Sequence, residues 1–155
     1  GLAGTRTSAD REAGYRRAMQ AAGLPVDPAW ITNAGFEFEL GRAAGERLLD
    51  LQPRPTAIYA ANDDMALGVM HAALDRGLQI PRDLSVAGFD DTEGASFIWP
   101  PLATVRQPLA DMAVAAVEQL AAQLYPSRLD LPEQPRCRRF AAELLARGSI
   151  GPAPA

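Results

Sequence analysis

The sequence predicts an α/β fold, a parallel sheet flanked by helices, and two observations carry that prediction. Short, almost wholly apolar runs alternate with stretches of helical period along the chain, and repeated βα units of this kind build parallel sheets through right-handed crossovers. The apolar runs also end in polar clusters, as in Tyr59-Ala-Ala-Asn-Asp-Asp-Met-Ala-Leu-Gly68 and Leu84-Ser-Val-Ala-Gly-Phe-Asp-Asp-Thr92. Ligands of parallel α/β sheets bind at the carboxyl ends of the strands.

The elements follow in order. Gly1-Leu-Ala-Gly4 reads as a strand end leading into Thr7, Ser8 and Arg11. Residues 8–22 carry Ala13, Tyr15, Ala18, Met19 and Ala22 at helical spacing, and Gly23-Leu-Pro25 stops that helix. Residues 30–34 read as a short strand leading to Phe36. Residues 40–51 place Leu40, Ala44, Leu48 and Leu51 on one helical face, ended by Pro53 and Pro55. The run 56–61 is apolar throughout except Thr56, as expected of a strand covered on both faces. A helix over 63–76 closes at Gly77, a buried strand follows at 84–88, and Trp99-Pro-Pro101 breaks the chain before an extended stretch at 103–106. Residues 109–124 form an Ala-rich amphipathic helix, 140–146 a last strand, and Gly148 onward a frayed tail.

With 155 residues, 48% of them hydrophobic and 22% charged, the chain has the size and composition of one core-forming domain. Its formal net charge of -4 argues against a nucleic-acid surface within these residues. Arg136, Arg138 and Arg139 read as a solvated strand face. The single Cys137 excludes an internal disulfide and fits a reducing compartment. No apolar run approaches the roughly 20 residues that span a bilayer. With no initiator methionine or signal sequence, and opening inside an apolar strand, the chain reads as a piece of a longer protein.

Asn62 and Asp63 stand where a strand passes into a helix, so either can cap that helix. Asn62-Asp63-Asp64 exceeds what one cap requires, which leaves Asn62 free to offer an amide to a cleft. Asp90 and Asp91 are turn formers, or carboxylates that accept from neighbouring hydroxyls of a sugar or nucleoside. A two-carboxylate acid/base pair is the weaker reading, since no histidine or nucleophile accompanies them. Arg11, one turn into its helix, can span two ligand oxygens with its planar fork. Phe36 is either packing or a face on which a ligand stacks. No phosphate loop, dinucleotide fingerprint, metal cluster or nucleophile motif is present, so no cofactor and no metal are expected.

Five strings carry a resemblance: Ser8-Ala-Asp-Arg11 with Gly14-Tyr15; Pro55-Thr-Ala-Ile-Tyr-Ala-Ala-Asn-Asp-Asp-Met-Ala-Leu-Gly68; Ile80-Pro-Arg-Asp-Leu-Ser-Val-Ala-Gly-Phe-Asp-Asp-Thr92; Pro100-Pro-Leu-Ala-Thr-Val-Arg-Gln-Pro108; and Arg147-Gly-Ser149. In order and spacing they resemble the C-terminal part of a lactose-repressor-type (LacI/GalR) transcriptional regulator. Ala103 departs from the threonine usual at that place. The resemblance implies a type I periplasmic-binding-protein-like fold of two lobes joined by three crossovers, with effector between them and a helix-turn-helix ahead of them. On that reading residues 1–103 are the C-terminal effector-binding lobe, and 104–135 a crossover strand and helix that pack on an N-terminal lobe. Residues 136–149 are then a return strand and 150–155 a flexible tail.

The resemblance also implies that Thr7, Arg11, Phe36, Asn62, Asp90 and Gln107 face the effector, a sugar or similar polyol, with purines or nucleosides as the alternative class. It implies a cytoplasmic homodimer through residues 64–76 and 94–99, DNA contact only through an N-terminal domain, no membrane and no catalysis. The C-terminal lobe of a secreted sugar-binding uptake protein is the competing reading. The apolar face of helix 109–124, with Met112, Ala116, Leu120 and Leu124, is expected to pack on a second copy or fold back on its own lobe.

Overall fold

The computed structural model describes residues 2–124 and 137–153. In chain order come α1 (Arg6–Ala21), a 3₁₀ turn (Pro28–Trp30), α2 (Phe38–Leu49), β1 (Ala57–Tyr59), α3 (Asp63–Asp75) and β2 (Ser85–Ala87). Then follow α4 (Glu93–Phe97), β3 (Thr104–Arg106), α5 (Leu109–Leu124) and β4 (Glu143–Leu145). They form two units, residues 1–105 with 144–155, and residues 106–143. Most of the expected crossover beyond α5, with Arg136, lies outside the described residues, as do Gly1 and residues 154–155.

In the first unit β1 and β2 run parallel, Ala57 opposite Ser85, Ile58 opposite Val86 and Tyr59 opposite Ala87. A parallel bridge joins Ala87 to Ala103 beside β3, and β3 pairs with β4. The helix-flanked parallel pairing is the α/β architecture the sequence predicts. Leu84, Val86, Leu102 and Met70 are completely buried at its centre, each such side chain contributing about 1.5–3 kcal/mol over an exposed one.

Local chemistry explains the helix limits. Thr5 caps α1 by accepting from the Ser8 N–H, and Asn62 caps α3 by accepting from the Met65 N–H. Both helices end alike: Gly23 (φ 67) and Gly77 (φ 72) turn the chain into the left-handed region. Leu24 N–H then reaches back to the Met19 carbonyl, and Leu78 N–H to the Ala73 carbonyl. These bonds satisfy carbonyls the helix itself leaves unpaired. Helices α2 and α3 cross through glycine: a Cβ on Gly68 would fall on the Phe38 carbonyl oxygen and 2.6 Å from the Arg42 amide nitrogen, and one on Gly41 would fall on the Met65 main chain.

Four expectations need correction. Residues 30–34 form no strand: the 3₁₀ turn ends at Trp30, and the run beyond it is extended from Ile31 (φ -108, ψ 118) without a ladder. A strand needs a paired neighbour, and an open cavity separates this run from β1. Leu2–Gly4 also pairs with nothing, since the chain turns at Gly4 (φ 77). Residues 94–99, to which the sequence assigned no helix, are half helix because Thr92 and Glu93 start α4, too short to show a period. Finally, the tail is held as far as Gly151. Ser149 is completely buried, donates to the Val86 carbonyl (2.6 Å) and accepts from the Ala103 N–H (2.8 Å), and Gly151 N–H donates to the Ser85 hydroxyl (3.1 Å).

In the second unit α5 spans the residues expected of it, but only Ala115 is buried. Leu120 (55%) and Leu124 (61%), expected on a covered face, are exposed with Leu109 and Val117. Arg138 pairs with Glu118 at 3.6 Å and Arg106 with Glu143 at 3.5 Å.

The glycine crossing separates two substitutions that propensity treats alike. Gly68→Ala must push α2 and α3 apart, and is expected to lower unfolding free energy by roughly 1–3 kcal/mol in urea titrations. Gly14→Ala, in α1 with only the Arg17 guanidinium within 4 Å, should raise it by about 0.5–1 kcal/mol.

Candidate ligand-binding site

The site is assembled where β1, β2 and the start of α1 bring their polar ends together. Asn62 does two jobs there. Its Oδ1 caps α3, and its Nδ2 donates to the Phe36 carbonyl at 2.9 Å, tying the loop before α2 to the strand end. An amide has two donor hydrogens and two lone pairs on its oxygen, so one of each remains for a ligand. Cap and cleft therefore coexist in Asn62, where the sequence offered them as alternatives.

Asp90 and Asp91 both adopt positive φ, 118° and 57°, an arrangement that needs restraint from outside. Asp63 supplies it. Its N–H donates to the Phe89 carbonyl at 2.9 Å, and its carboxylate accepts from the Thr92 N–H (2.7 Å) and hydroxyl (3.2 Å). The turn between Phe89 and Thr92 is thus gripped at both ends by one completely buried residue. The Thr104 hydroxyl donates to the same carboxylate at 2.5 Å and accepts from the Asp91 N–H at 3.3 Å. A Cβ on Gly88 would collide with Asp63 Oδ1, so the residue before this turn must be glycine. Asp91 faces away into an ion pair with Arg147 at 2.5 Å, both side chains mostly buried, while Asp90 N–H holds the Val105 carbonyl at 2.9 Å.

Arg11 is fixed from two directions. Its guanidinium carbon lies 4.4 Å above the Phe89 ring centroid, a cation–π contact, and its charge lies close enough to the Tyr59 phenol to act on it. Burial is the largest influence on that phenol and pushes its pKa above 10.0; the charge and hydrogen bond of Arg11 oppose the rise, and Asp90 adds to it.

A cavity of about 320 Å³ results, lined by Thr5, Thr7, Arg11, Phe36, Asn62 and Asp90. Five of the six residues expected at the site meet there. Gln107, the sixth, belongs to the second unit. Sequence reasoning passed over Thr5, Tyr59 and Phe89. Thr5 stands two residues before Thr7 and carried a readable cap signal; Tyr59 and Phe89 carried none, since they reach Arg11 only through the fold. The described residues contain no cluster of metal-ligating side chains. The cavity is bordered by a guanidinium, a carboxylate, an amide, two hydroxyls and a phenylalanine, donors and acceptors that can orient a small polar ligand.

The chain matches a periplasmic binding protein-like domain over residues 1–150. It is 39% identical over 117 residues to catabolite control protein A of Priestia megaterium, a match covering 76% of this chain and 35% of that protein. Its fold superposes on a LacI-family regulatory protein from Chloroflexus aggregans with a TM-score of 0.84 and 42% identity, covering 95% of this chain and 52% of that one. A LacI-family transcriptional regulator from Lactobacillus casei with bound sucrose gives a TM-score of 0.81 at 30% identity, over 97% of this chain and 54% of that one. The chain thus spans about a third of the first relative and about half of the two solved ones.

Asp63→Ala strips the partner from the Thr92 N–H and the Thr104 hydroxyl, each costing about 1–3 kcal/mol when buried and unmade. A loss of roughly 2–5 kcal/mol in chemical unfolding is expected. Arg11→Met removes the two influences that lower the Tyr59 pKa while leaving burial and Asp90 in place. The phenol should therefore ionise at higher pH than in the unsubstituted chain, read by ultraviolet absorbance against a Tyr59→Phe control.

Proposed function

Since the chain belongs to the periplasmic binding protein-like domain family and its relatives include LacI-type regulators, we propose that it is the effector-sensing part of such a regulator. The observation that carries this is the meeting of Thr7, Arg11, Phe36, Asn62 and Asp90 around one small polar cavity. The effector is a sugar or related polyol: Asp90 accepts from vicinal hydroxyls, Arg11 donates to ring or hydroxyl oxygens, and Phe36 covers the apolar face of the ring. The chain performs no catalysis; Asp90 binds, and Asp91 is committed to Arg147.

In the longer protein, effector bound between two lobes favours one of their relative orientations and so resets how a dimer presents its DNA-binding heads. The dimer forms through residues 64–76 and 94–99. Phe97 (78% exposed) and Trp99 (84%), with Leu74 on α3, support this face, since large exposed apolar side chains are what such interfaces bury. The protein works in the cytoplasm. No helix among the described residues is long and apolar enough to cross a membrane. The secreted uptake-protein reading is not favoured, because the relatives above are regulators.

A calorimetric panel of sugars, purines and nucleosides on the longer protein tests the reading. A sugar should bind, and Arg11→Ala or Asp90→Asn should each weaken it about 10- to 100-fold, the worth of one charge-assisted hydrogen bond. Selective binding of a purine would replace the effector class. Turnover of the bound sugar, abolished by Asp90→Asn, would overturn the non-catalytic role.

A further inference from the structure

Asp63 grips the two ends of the turn between Phe89 and Thr92, and the middle of that turn is held from a different direction. Asp90 N–H reaches the Val105 carbonyl at 2.9 Å, while Asp91 N–H makes a longer bond, 3.3 Å, to the Thr104 hydroxyl. The short contact of Asp91 is made by its side chain. Arg147 Nη2 lies 2.5 Å from its Oδ1, and the two side chains are only 20% and 13% exposed. Arg147 borders no part of the cavity of about 320 Å³. It stands in the chain just after β4, far in sequence from the elements that build the site.

The arginine is itself anchored. Its Nη1 donates to the Leu102 carbonyl at 3.2 Å, so one planar fork joins Asp91 to the run before β3. The chain that follows it is seated on β2 and on that same run. Val86 N–H donates to the Ser149 carbonyl (2.9 Å), and Ser149 N–H to the Pro101 carbonyl (3.0 Å). A Cβ on Gly148 would lie 3.2 Å from Pro100 and 3.4 Å from Pro101, so the segment runs close against both prolines. A guanidinium on such a backbone is a fixed reference, with a geometry that an ammonium cannot reproduce.

A buried ion pair contributes little to stability as such, because desolvation offsets much of the attraction. What this one supplies is direction. Consecutive carboxylates repel, and the pair gives one of them a set partner while it holds Asp91 at φ 57. Asp90, at φ 118, is left on the side of the cavity. The same turn carries Phe89, over whose ring the Arg11 guanidinium carbon sits at 4.4 Å. Both charged groups of the cavity are thus referred to one remote arginine, Asp90 through the main chain and Arg11 through Phe89.

We propose, taking the cavity for a binding site whatever its effector, that Arg147 is a positioning residue of that site. Asp63 keeps the turn in place, and Arg147, through Asp91, sets which way its carboxylates point and how Asp90 stands to Arg11. Because Arg147 follows directly on β4, which pairs with β3, a shift of that strand pair is carried to the site.

Proton chemical shifts of the protein test this without any effector. The Arg11 Hδ and Nε–H protons should resonate upfield of those of other arginines, since an aromatic ring shields what lies over its face. Arg147→Gln should abolish most of that displacement while the amide shifts of β1 and β2 stay as they are. Asp91→Asn covers the case of a variant that fails to fold: asparagine tolerates positive φ, keeps an acceptor for Arg147 and loses only the charge. It should lose part of the displacement. Arg147→Lys, with the charge but not the fork, should restore part of what Arg147→Gln removes. Unchanged Arg11 shifts in both Arg147→Gln and Asp91→Asn would overturn the proposal and leave the pair as a fastening for residues 147–151. So would a change spread evenly over the amides of β1, β2 and α3, which marks general loosening. A sugar that fails to bind bears on the effector class alone, since these shifts are read in its absence.

Discussion

The completely buried carboxylate of Asp63 is the constraint on which the rest of this lobe depends. It stands at the first turn of α3, reaches across to the end of β2, and meets the start of β3 through Thr104. A buried charge is costly unless its lone pairs are filled, and here Thr92 and Thr104 fill them with one N–H and two hydroxyl donors. The return is positional. Two consecutive residues with positive φ cost free energy that local structure alone does not recover, so the Asp90 carboxylate keeps its place only because Asp63 pins the turn on both sides.

That dependence explains which parts of the site were legible in the sequence. Strand-to-helix handovers, caps and glycine stops are local, and α1, α2, α3 and α5 lie within two residues of where periodicity and capping put them at every end. Asn62 and Asp90 were legible because polar residues crowd the ends of apolar runs. The division of labour between Asp63 and Asn62 was not: both are good caps, and only the fold reveals that Asn62 caps while Asp63 serves β2 and β3. Phe89 and Tyr59 were hidden for a related reason. Each sits in an apolar run where an aromatic signals core, and each acquires its role from Arg11, far away in sequence.

The strands were less legible than the helices, for a physical reason. A helix satisfies its own hydrogen bonds, so its pattern is self-sufficient; a strand is defined by its neighbour. Residues 30–34 have strand composition and an extended start, but they face open space where a partner would lie. Ser149 shows the converse. Nothing in Gly148-Ser-Ile150 announces a core residue, and it is buried because Val86 and Ala103 offer it one acceptor and one donor.

The polar cavity of about 320 Å³ and the open one of about 510 Å³ beside β1 are not independent, because α1 borders both. Arg11 lines each of them, Thr5 and Thr7 open toward the smaller, and Tyr15 and Met19 toward the larger. Tyr15 and Met19 share with Arg11 the one helix that borders both spaces, so a substitution that shifts α1 at the larger cavity moves a wall of the smaller.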